Sequence, residues 1–143
     1  MEIRFTVHAI PIAQPRQRHR VVSSRGKHFA TNYTPKSDPV NTFKAAVQLT
    51  ASQVYKSAPL EGPIGMDVIL VFPRPKTVAK KLGDCRLPHD VKPDRDNVYK
   101  ALSDAMNGLI YRDDSQICDG RIVKCRAAAD EQPHVEVTIW EIE

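Results

Sequence analysis

The sequence has few of the features that mark several large protein classes. Its three cysteines are odd in number and form no CxxC pair, which argues against a disulfide framework and is typical of reduced thiols. No apolar run approaches the roughly 18 residues that a membrane-spanning helix needs, so no membrane partner is expected. The N-terminus alternates in polarity and lacks the basic region and apolar stretch of a secretory signal. We therefore expect a cytoplasmic protein.

Motifs of several enzyme classes are also missing. There is no glycine-rich phosphate loop, so no nucleotide cofactor is expected, and no serine stands in a nucleophile elbow. The five histidines lack the spacing of metal ligands, although Cys118 and Cys125 with a histidine leave a zinc site open as a hypothesis. The chemistry of the protein must therefore be sought mainly among its charged residues.

Charge is distributed unevenly along the chain. The whole sequence carries +4 with a pI near 9.1, which alone is a weak indication of a polyanionic partner. Residues 1–36 contain seven Lys or Arg against Glu2 alone, a net charge of +6, so residues 37–143 must carry −2. The chain is basic at its N-terminal end and acidic further on.

Hydrophobic periodicity predicts the elements of the first half. Residues 2–9 alternate with a period of two, which predicts a half-buried strand. Residues 10–37 have no sustained period and contain three prolines, so we expect a long, partly hairpin-like loop. Asp38 followed by Pro39 predicts the start of an amphipathic helix. A second alternating strand is expected over residues 64–72.

The second half predicts one more helix and two more strands. Residues 73–93 are expected to be a loop with at most a short helix, and a helical pattern runs from Asp96 to a stop at Gly108. Strands follow over residues 116–128, with Gly120 a candidate bulge, and over residues 134–143. The length suits one domain over residues 1–143, and the element order predicts an α/β (α+β) fold with a mixed β-sheet and two main helices.

Residues 92–117, "KPDRDNVYKALSDAMNGLIYRDDSQI", concentrate aspartates around the second predicted helix. If the chain is extended just before the helix, Asp94 and Asp96 point the same way, and the helix dipole favours negative charge there. The chain past the helix could turn back and bring Asp114 close. Converging carboxylates raise each other's pKa unless a cation balances them, and Mg²⁺ or Mn²⁺ prefers such ligands. Lys100, one turn after Asp96, could steady a phosphate or leaving oxygen.

A purely structural interpretation of these residues stays open on spacing alone. Asp96 could cap the helix, and Asp113 with the next aspartate could be turn residues. Asp104 lies four residues after Lys100, and that pairing is a sufficient explanation for it. Asn97 could hold a metal ligand in place or be an ordinary polar residue of the first turn.

The stretch "DRDNVYKALSDAMNGLIYRDDSQI" closely resembles the signature of a known family, the RusA-type Holliday junction resolvases. These are dimeric, Mg²⁺-dependent crossover junction endodeoxyribonucleases, often prophage-encoded, that cut four-way DNA junctions. The resemblance is specific over this stretch and fainter over most of the chain. It implies the family's small α/β fold, a homodimer, and branched DNA as the partner in recombination and repair.

The resemblance also implies roles for individual residues. It places three metal-binding aspartates at Asp94, Asp96 and Asp114 and an essential lysine at Lys100. Asp113 matches an acidic neighbour of open role, and with Asn97 it could support the metal ligands. Mg²⁺ is the implied cofactor, with Mn²⁺ as a substitute, for paired hydrolysis of phosphodiester bonds.

Basic residues form two groups that could contact DNA. The first lies in the long N-terminal loop, where phosphate contacts would be independent of base sequence. The second follows the strand over residues 64–72 and could be either a DNA channel or solvated surface. The candidate DNA-binding residues are Arg16, Arg18, Arg20, Arg25, Lys27, Arg74 and Lys76.

Two functions follow from these patterns. The first is a metal-dependent DNA endonuclease that acts on branched DNA, in which His89 could neighbour the metal or a phosphate. The alternative is a non-catalytic DNA-binding module on the same fold, in which the aspartates are structural. A phosphotransferase that uses a DxD motif is disfavoured, because there the motif follows a buried strand, whereas "LPHDVKP" precedes it here.

Overall fold

The computed structural model describes residues 1–15, 18–33, 35–76 and 84–143; within 18–33 it describes the backbone and the side chains of residues 21, 23 and 25–28. The elements in chain order are β1 (Glu2–Val7), β2 (Arg18–Ser24), β3 (Lys27–Tyr33), α1 (Pro39–Val54), β4 (Ile64–Phe72), β5 (Leu87–Pro88), α2 (Arg95–Ala105), a 3-10 helix (Asp114–Gln116), β6 (Ile117–Asp119), β7 (Ile122–Arg126) and β8 (His134–Glu141). The predicted fold class, a mixed sheet with two main helices, is confirmed.

A six-stranded mixed sheet lies at the centre of the fold. Its strand order is β1-β8-β4-β7-β5, and β6 also pairs with β4. β8 runs antiparallel to β1 and β4, whereas β6 and β7 run parallel to β4. Strands buried on both faces are apolar almost throughout, and the β4 sequence "IGMDVILVF" has this character. The composition of β4 therefore explains its central position.

Both helices bury their apolar faces in one core with alternate residues of the strands. Burying one such Val, Leu or Phe side chain stabilises the fold by about 1.5–3 kcal/mol. The helical residues in this core are Val40, Phe43, Val47 and Ala51 from α1 and Val98, Ala101, Leu102 and Ala105 from α2.

The opposite face of the sheet carries a smaller cluster around Val71, Cys125 and Ala127. On β8, Trp140 packs over Gly65 of the neighbouring β4. A Cβ atom at Gly65 would lie 2.2 Å from the Trp140 ring, so the ring occupies the space that another side chain would need. Glycine is therefore required at this position of β4.

The start of α1 is confirmed where the sequence predicts it. The Asp38 side chain accepts a hydrogen bond from the Val40 N–H at 2.9 Å, and Pro39 is the first helical residue. Such an N-cap stabilises a helix by about 1 kcal/mol, and the first turn tolerates proline because its N–H would be unpaired there. Among the described residues, no helix combines the length and apolarity needed to cross a membrane.

The predicted N-terminal loop contains a β-hairpin. β2 and β3 pair antiparallel and form a two-stranded sheet of their own. The turn residues Arg25 and Gly26 have φ values of 52° and 76°. Positive φ at both central residues is the geometry of a type I′ turn, whose twist suits a two-residue hairpin. The partly hairpin-like loop that the sequence predicts is thus more regular than expected.

The strand predicted over residues 116–128 is divided into β6 and β7. Gly120, which lies between them, has φ 137°, and a Cβ atom there would lie 1.9 Å from the Met66 carbonyl oxygen. The following residue, Arg121, donates its backbone N–H to Asp67 Oδ1 at 2.8 Å. Close approach to the β4 backbone therefore interrupts the strand at the predicted irregularity.

Candidate active site

Asp94 and Asp96 lie at the N-terminus of α2. Asp94 is the N-cap residue, with φ −67° and ψ 142°, and Asp96 lies inside the first helical turn. The condition under which the two were expected to point the same way, an extended segment through both residues, is not met, because the helix begins at Arg95. Both carboxylates are nevertheless exposed at the helix end where the backbone dipole favours negative charge.

The Asp94 carboxylate is not used to cap the helix. An N-cap aspartate commonly accepts a hydrogen bond from a backbone N–H of the first turn, but Asp94 makes no such bond. Its carboxylate lies 3.8 Å from Lys92 Nζ, and the two side chains are 56% and 89% exposed. An exposed pair of this kind contributes about 0–1 kcal/mol. The Asp94 oxygens are therefore accessible to a ligand.

Asp114 lies beside α2, on the 3-10 helix that follows it. Its Oδ2 is 3.9 Å from Lys100 Nζ, and Lys100 also donates to Asp104 Oδ1 at 3.2 Å. The predicted pairing of Lys100 with Asp104 is confirmed. The predicted return of the chain beside the helix is confirmed as far as Lys100. The charged neighbours described for Asp114 are Lys100, Asp104 and Asp113, so its approach to Asp94 and Asp96 stays a prediction.

Asp104 lies next to Lys100 and Asp114, and we call these three residues the acidic cluster. In the sequence, the pairing of Asp104 with Lys100 had been a sufficient explanation for it. Burial raises the pKa of Asp114, and the charge and hydrogen bond of Asp104 raise it further, whereas Lys100 acts in the opposite direction. One ammonium group thus does not fully balance the nearby carboxylates. Asp96, Lys100 and Asp104 recur every four residues, and this spacing along one helix face was the available signal.

Tyr99 lies close to Asp114 and lines a cavity. Burial raises the pKa of its phenol to about 12, and the charge of Asp114 adds to this effect, so the phenol is neutral at physiological pH. Nothing in the residue spacing singled out Tyr99. The cavity has a volume of about 300 Å³, and its lining residues are Met66, Tyr99, Ile117, Cys118, Asp119, Gly120 and Ile122.

Asp113 orders the turn that carries Asp114. Its side chain accepts a hydrogen bond from the Ser115 N–H at 3.2 Å, and its own N–H donates to Gln116 Oε1 at 2.9 Å. Together these bonds form a capping box for the 3-10 helix. The bonds to Ser115 lower the pKa of Asp113. The interpretation of Asp113 as a turn residue accounts for its contacts.

The carboxylates do not form a ready metal site in their present arrangement. In the described part of the chain, no three His, Cys, Asp or Glu side chains form a group that could hold a metal ion. Their chemistry fits a divalent cation, because Mg²⁺ prefers carboxylate oxygens and the charge around Asp114 is incompletely balanced. The hypothesis of a zinc site is not supported either, since Cys125 is buried and Cys118 is exposed.

The N-terminal basic residues lie on or next to the hairpin. Arg25 and Lys27 are exposed at its tip. Arg16 lies outside the described residues, and Arg18 and Arg20 lie in β2, where the backbone alone is described.

The chain segment that leads into the hairpin is attached to α2. The Gln14 N–H donates to the Asn97 carbonyl oxygen at 2.9 Å, in the first turn of that helix. The contact described for Asn97 is thus made by its backbone carbonyl oxygen. Because Gln14 precedes β2 by only four residues, the basic hairpin starts close to the acidic end of α2.

The remaining candidates lie near the end of β4. Arg74 donates to the Cys85 carbonyl oxygen at 3.3 Å, and Lys76 is exposed. His89 stacks on Phe72 with ring centroids 4.2 Å apart, and burial followed by the charges of two basic neighbours lowers the pKa of His89. A neutral, stacked imidazole is typical of a packing role.

Comparisons with known proteins place the chain in a family. The sequence model of the family described as endodeoxyribonuclease RusA matches residues 10–140. The chain is also similar to "Uncharacterized protein YqaN" of Bacillus subtilis (strain 168), with 37% identity over 148 aligned residues that cover 98% of this chain and 96% of that protein. The matched range spans the hairpin and the segment from Asp94 to Asp114.

Proposed function

The chain belongs to the RusA family of endodeoxyribonucleases, and from this premise we propose that it resolves Holliday junctions by metal-dependent hydrolysis of phosphodiester bonds. Membership of the family supports nuclease activity on DNA. The observation that carries the proposal for this site is the incompletely balanced charge at Asp114, next to Asp104 and 3.9 Å from Lys100. A carboxylate whose pKa is shifted by burial and by a specific charged neighbour is a candidate for a functional site.

We propose that Asp94, Asp96 and Asp114 hold a Mg²⁺ ion, for which Mn²⁺ can substitute. Their side chains would have to rotate toward one another, and the two at the start of α2 are exposed and have room to do so. A bound divalent ion supplies activation of a water nucleophile and neutralisation of phosphate charge. Asp113 supports the site by fixing the turn in front of Asp114.

Lys100 contacts two carboxylates at the proposed site. Its ammonium lies between the Asp104 and Asp114 carboxylates, where the hydrogen bond to Asp104 raises the pKa of Lys100. It therefore stays charged and can balance the developing negative charge on a scissile phosphate. Asp104 keeps the ammonium at the site while DNA is absent.

The position of the basic hairpin, formed by β2 and β3, supports the proposal that the protein binds branched DNA. Its backbone leads away from a segment attached to α2, so phosphates held by its arginines would lie near the acidic cluster. We also propose that the protein acts as a homodimer, because a twofold symmetric enzyme suits a junction that requires two matched cuts. Analytical ultracentrifugation with and without junction DNA tests this part of the proposal.

Cleavage of a labelled four-way junction, compared with a linear duplex of the same sequence, is the decisive experiment. The unaltered protein should cut the junction symmetrically with Mg²⁺ or Mn²⁺ and should be inactive with EDTA. Asp96→Asn should abolish cleavage and leave junction binding largely intact, since it removes a charge at the metal. The exposed residue Asp130 offers a matched control, and Asp130→Asn should retain full activity. An active Asp96→Asn enzyme would refute the assignment.

A non-catalytic DNA-binding module is the second candidate function. The observation in its favour is that the carboxylates of the described chain are not gathered into a metal-binding group. Titration calorimetry with Mn²⁺ separates the two candidates. Junction binding without metal binding or cleavage would support the module.

A further inference from the structure

The chain on either side of Asp94 is attached to β7. Lys124 Nζ donates to the carbonyl oxygens of Val91 and Pro93, both at 2.7 Å. On the other side of Asp94, the guanidinium of Arg95 donates to the Ile122 carbonyl oxygen at 3.0 Å. The backbone around Asp94 is therefore held from both sides by one strand.

Lys124 is the main element of this attachment. A charged donor forms shorter and stronger hydrogen bonds than a neutral one, and the two distances from Lys124 are typical of such bonds. The side chain is partly buried between β7 and the segment before α2. The Lys124 ammonium group therefore binds backbone carbonyl oxygens and is poorly placed to bind phosphates.

This attachment explains why the Asp94 side chain makes no capping bond. An N-cap aspartate usually fixes the entry of the chain into the helix with its own carboxylate. Here Lys124 and Arg95 fix that entry from outside, so the Asp94 oxygens need not do so.

The strand that holds the backbone around Asp94, β7, belongs to the chain segment that also carries Asp114. The 3-10 helix with Asp114 continues directly into β6 and then β7, and both strands run parallel to β4. The position of Asp94 is thus set by a strand that is continuous with the segment bearing Asp114. A ligand that needs both carboxylates would depend on this arrangement.

We propose that Lys124 is a positioning residue that fixes the backbone at Asp94 relative to Asp114 for catalysis. The inference rests on the proposed nuclease function for its catalytic part. The clamp itself, defined as the bonds from Lys124 to Val91 and Pro93, is a property of the fold and can be tested without activity.

Hydrogen exchange measured by mass spectrometry tests the clamp directly. In Lys124→Met, amides of residues 91–100 should exchange faster, because the first bonds of α2, such as Val98 N–H to the Asp94 carbonyl oxygen, lose their support. Exchange in β1 and β8 should be unchanged. Lys56 is exposed, and Lys56→Met makes the same chemical change as a control that should leave residues 91–100 protected.

Kinetics on a four-way junction test the positioning role. Lys124→Met should lower kcat by roughly tenfold to a hundredfold, as expected for loss of a group that orients a metal ligand, with KM for DNA nearly unchanged. Lys124→Arg retains the charge and donors and should recover much of the activity. Arg95→Met removes the second attachment and should increase exchange in the same segment to a smaller extent, which keeps the test open if Lys124→Met fails to fold.

The outcomes are separable. Unchanged exchange over residues 91–100 in the folded variants would refute the clamp. Faster exchange with full cleavage activity in Lys124→Met would refute the positioning role. If the unaltered protein cuts no junction, the proposed function fails, and the exchange data still decide whether Lys124 holds this segment.

Discussion

Two clusters of charged side chains in this protein differ in how closely their opposite charges approach one another. In the first, Arg86 donates to Glu131 at 2.7 Å and to Glu136 at 2.6 Å, and the His134 ring lies 2.8 Å from Glu136. In the second, the acidic cluster beside α2, one ammonium group from Lys100 serves two carboxylates.

The pKa shifts of one carboxylate from each cluster, Glu131 and Asp114, run in opposite directions. Hydrogen bonds from Arg86 and from the Ala128 N–H lower the pKa of Glu131 to about 2. Burial and the neighbouring Asp104 raise the pKa of Asp114. The surroundings of Glu131 therefore favour its charged form, whereas those of Asp114 disfavour it.

This difference fits a structural role for the Arg86 cluster and the proposed catalytic role for the acidic cluster. The Arg86 cluster joins the segment before β5 to the turn before β8, and its charges are satisfied within the protein. In the acidic cluster, burial and Asp104 disfavour the charged form of Asp114 more than Lys100 favours it. Incompletely satisfied polar groups of this kind concentrate at functional sites.

The largest expected effect separates activity from stability. Asp114→Asn should reduce junction cleavage by roughly a thousandfold, equivalent to ~4 kcal/mol of transition-state stabilisation. It should leave the unfolding temperature unchanged or slightly higher, because it removes repulsion from Asp104. Single-turnover cleavage and thermal unfolding measure the two quantities. If Asp114→Asn lowered both the unfolding temperature and the rate of cleavage, the role of Asp114 would be structural.

The paired cluster should show the reverse behaviour. Glu131→Gln should lower the free energy of unfolding by about 1 kcal/mol at pH 7 and leave cleavage unchanged. The folded pKa of Glu131 is near 2 against an ordinary 4.5, so its charge contributes fully above about pH 4.5. That contribution is lost as the pH falls from 4.5 toward 2, and the difference between the two proteins should vanish over this range.

Urea unfolding at a series of pH values measures this difference. Glu143→Gln, at the exposed C-terminal residue, is the matched control and should show no such pH dependence. A loss of cleavage in Glu131→Gln would contradict the division between the clusters.

The smallest expected effect concerns the basic hairpin, a region with excess positive charge in contrast to the acidic cluster. Replacing Arg16 and Arg18 with Ala should make the dependence of log affinity on log salt shallower by about 2, one for each lost phosphate contact. Fluorescence anisotropy with a labelled junction and without metal measures this slope. Replacing Lys36 and Lys56 with Ala removes equal charge elsewhere. An unchanged slope in the arginine variant would remove these residues from the DNA contact surface.

Local sequence patterns predicted the elements that build the core. The alternation of Ile3, Phe5 and Val7 predicted β1, and the Asp38-Pro39 pair predicted the start of α1, because these signals depend on near neighbours in the chain. The β2–β3 hairpin was predicted only in part, since its strands lack alternating apolar residues. Its strongest local signal was the turn at Arg25 and Gly26.

Features that depend on tertiary contacts were harder to predict. The division between β6 and β7 results from the approach of Gly120 to the Met66 carbonyl oxygen, which lies far away in the sequence. The meeting of Asp104 with Asp114 likewise depends on how the chain returns after α2. The family resemblance assigned roles to particular aspartates, but the arrangement of their side chains required the structure.

The packing of Trp140 over Gly65 has a practical consequence. Because the chain has a single tryptophan, its intrinsic fluorescence reports on one place, the pairing of β8 with β4. Emission recorded during denaturation would follow separation of the central strands, with no extrinsic label attached to the protein.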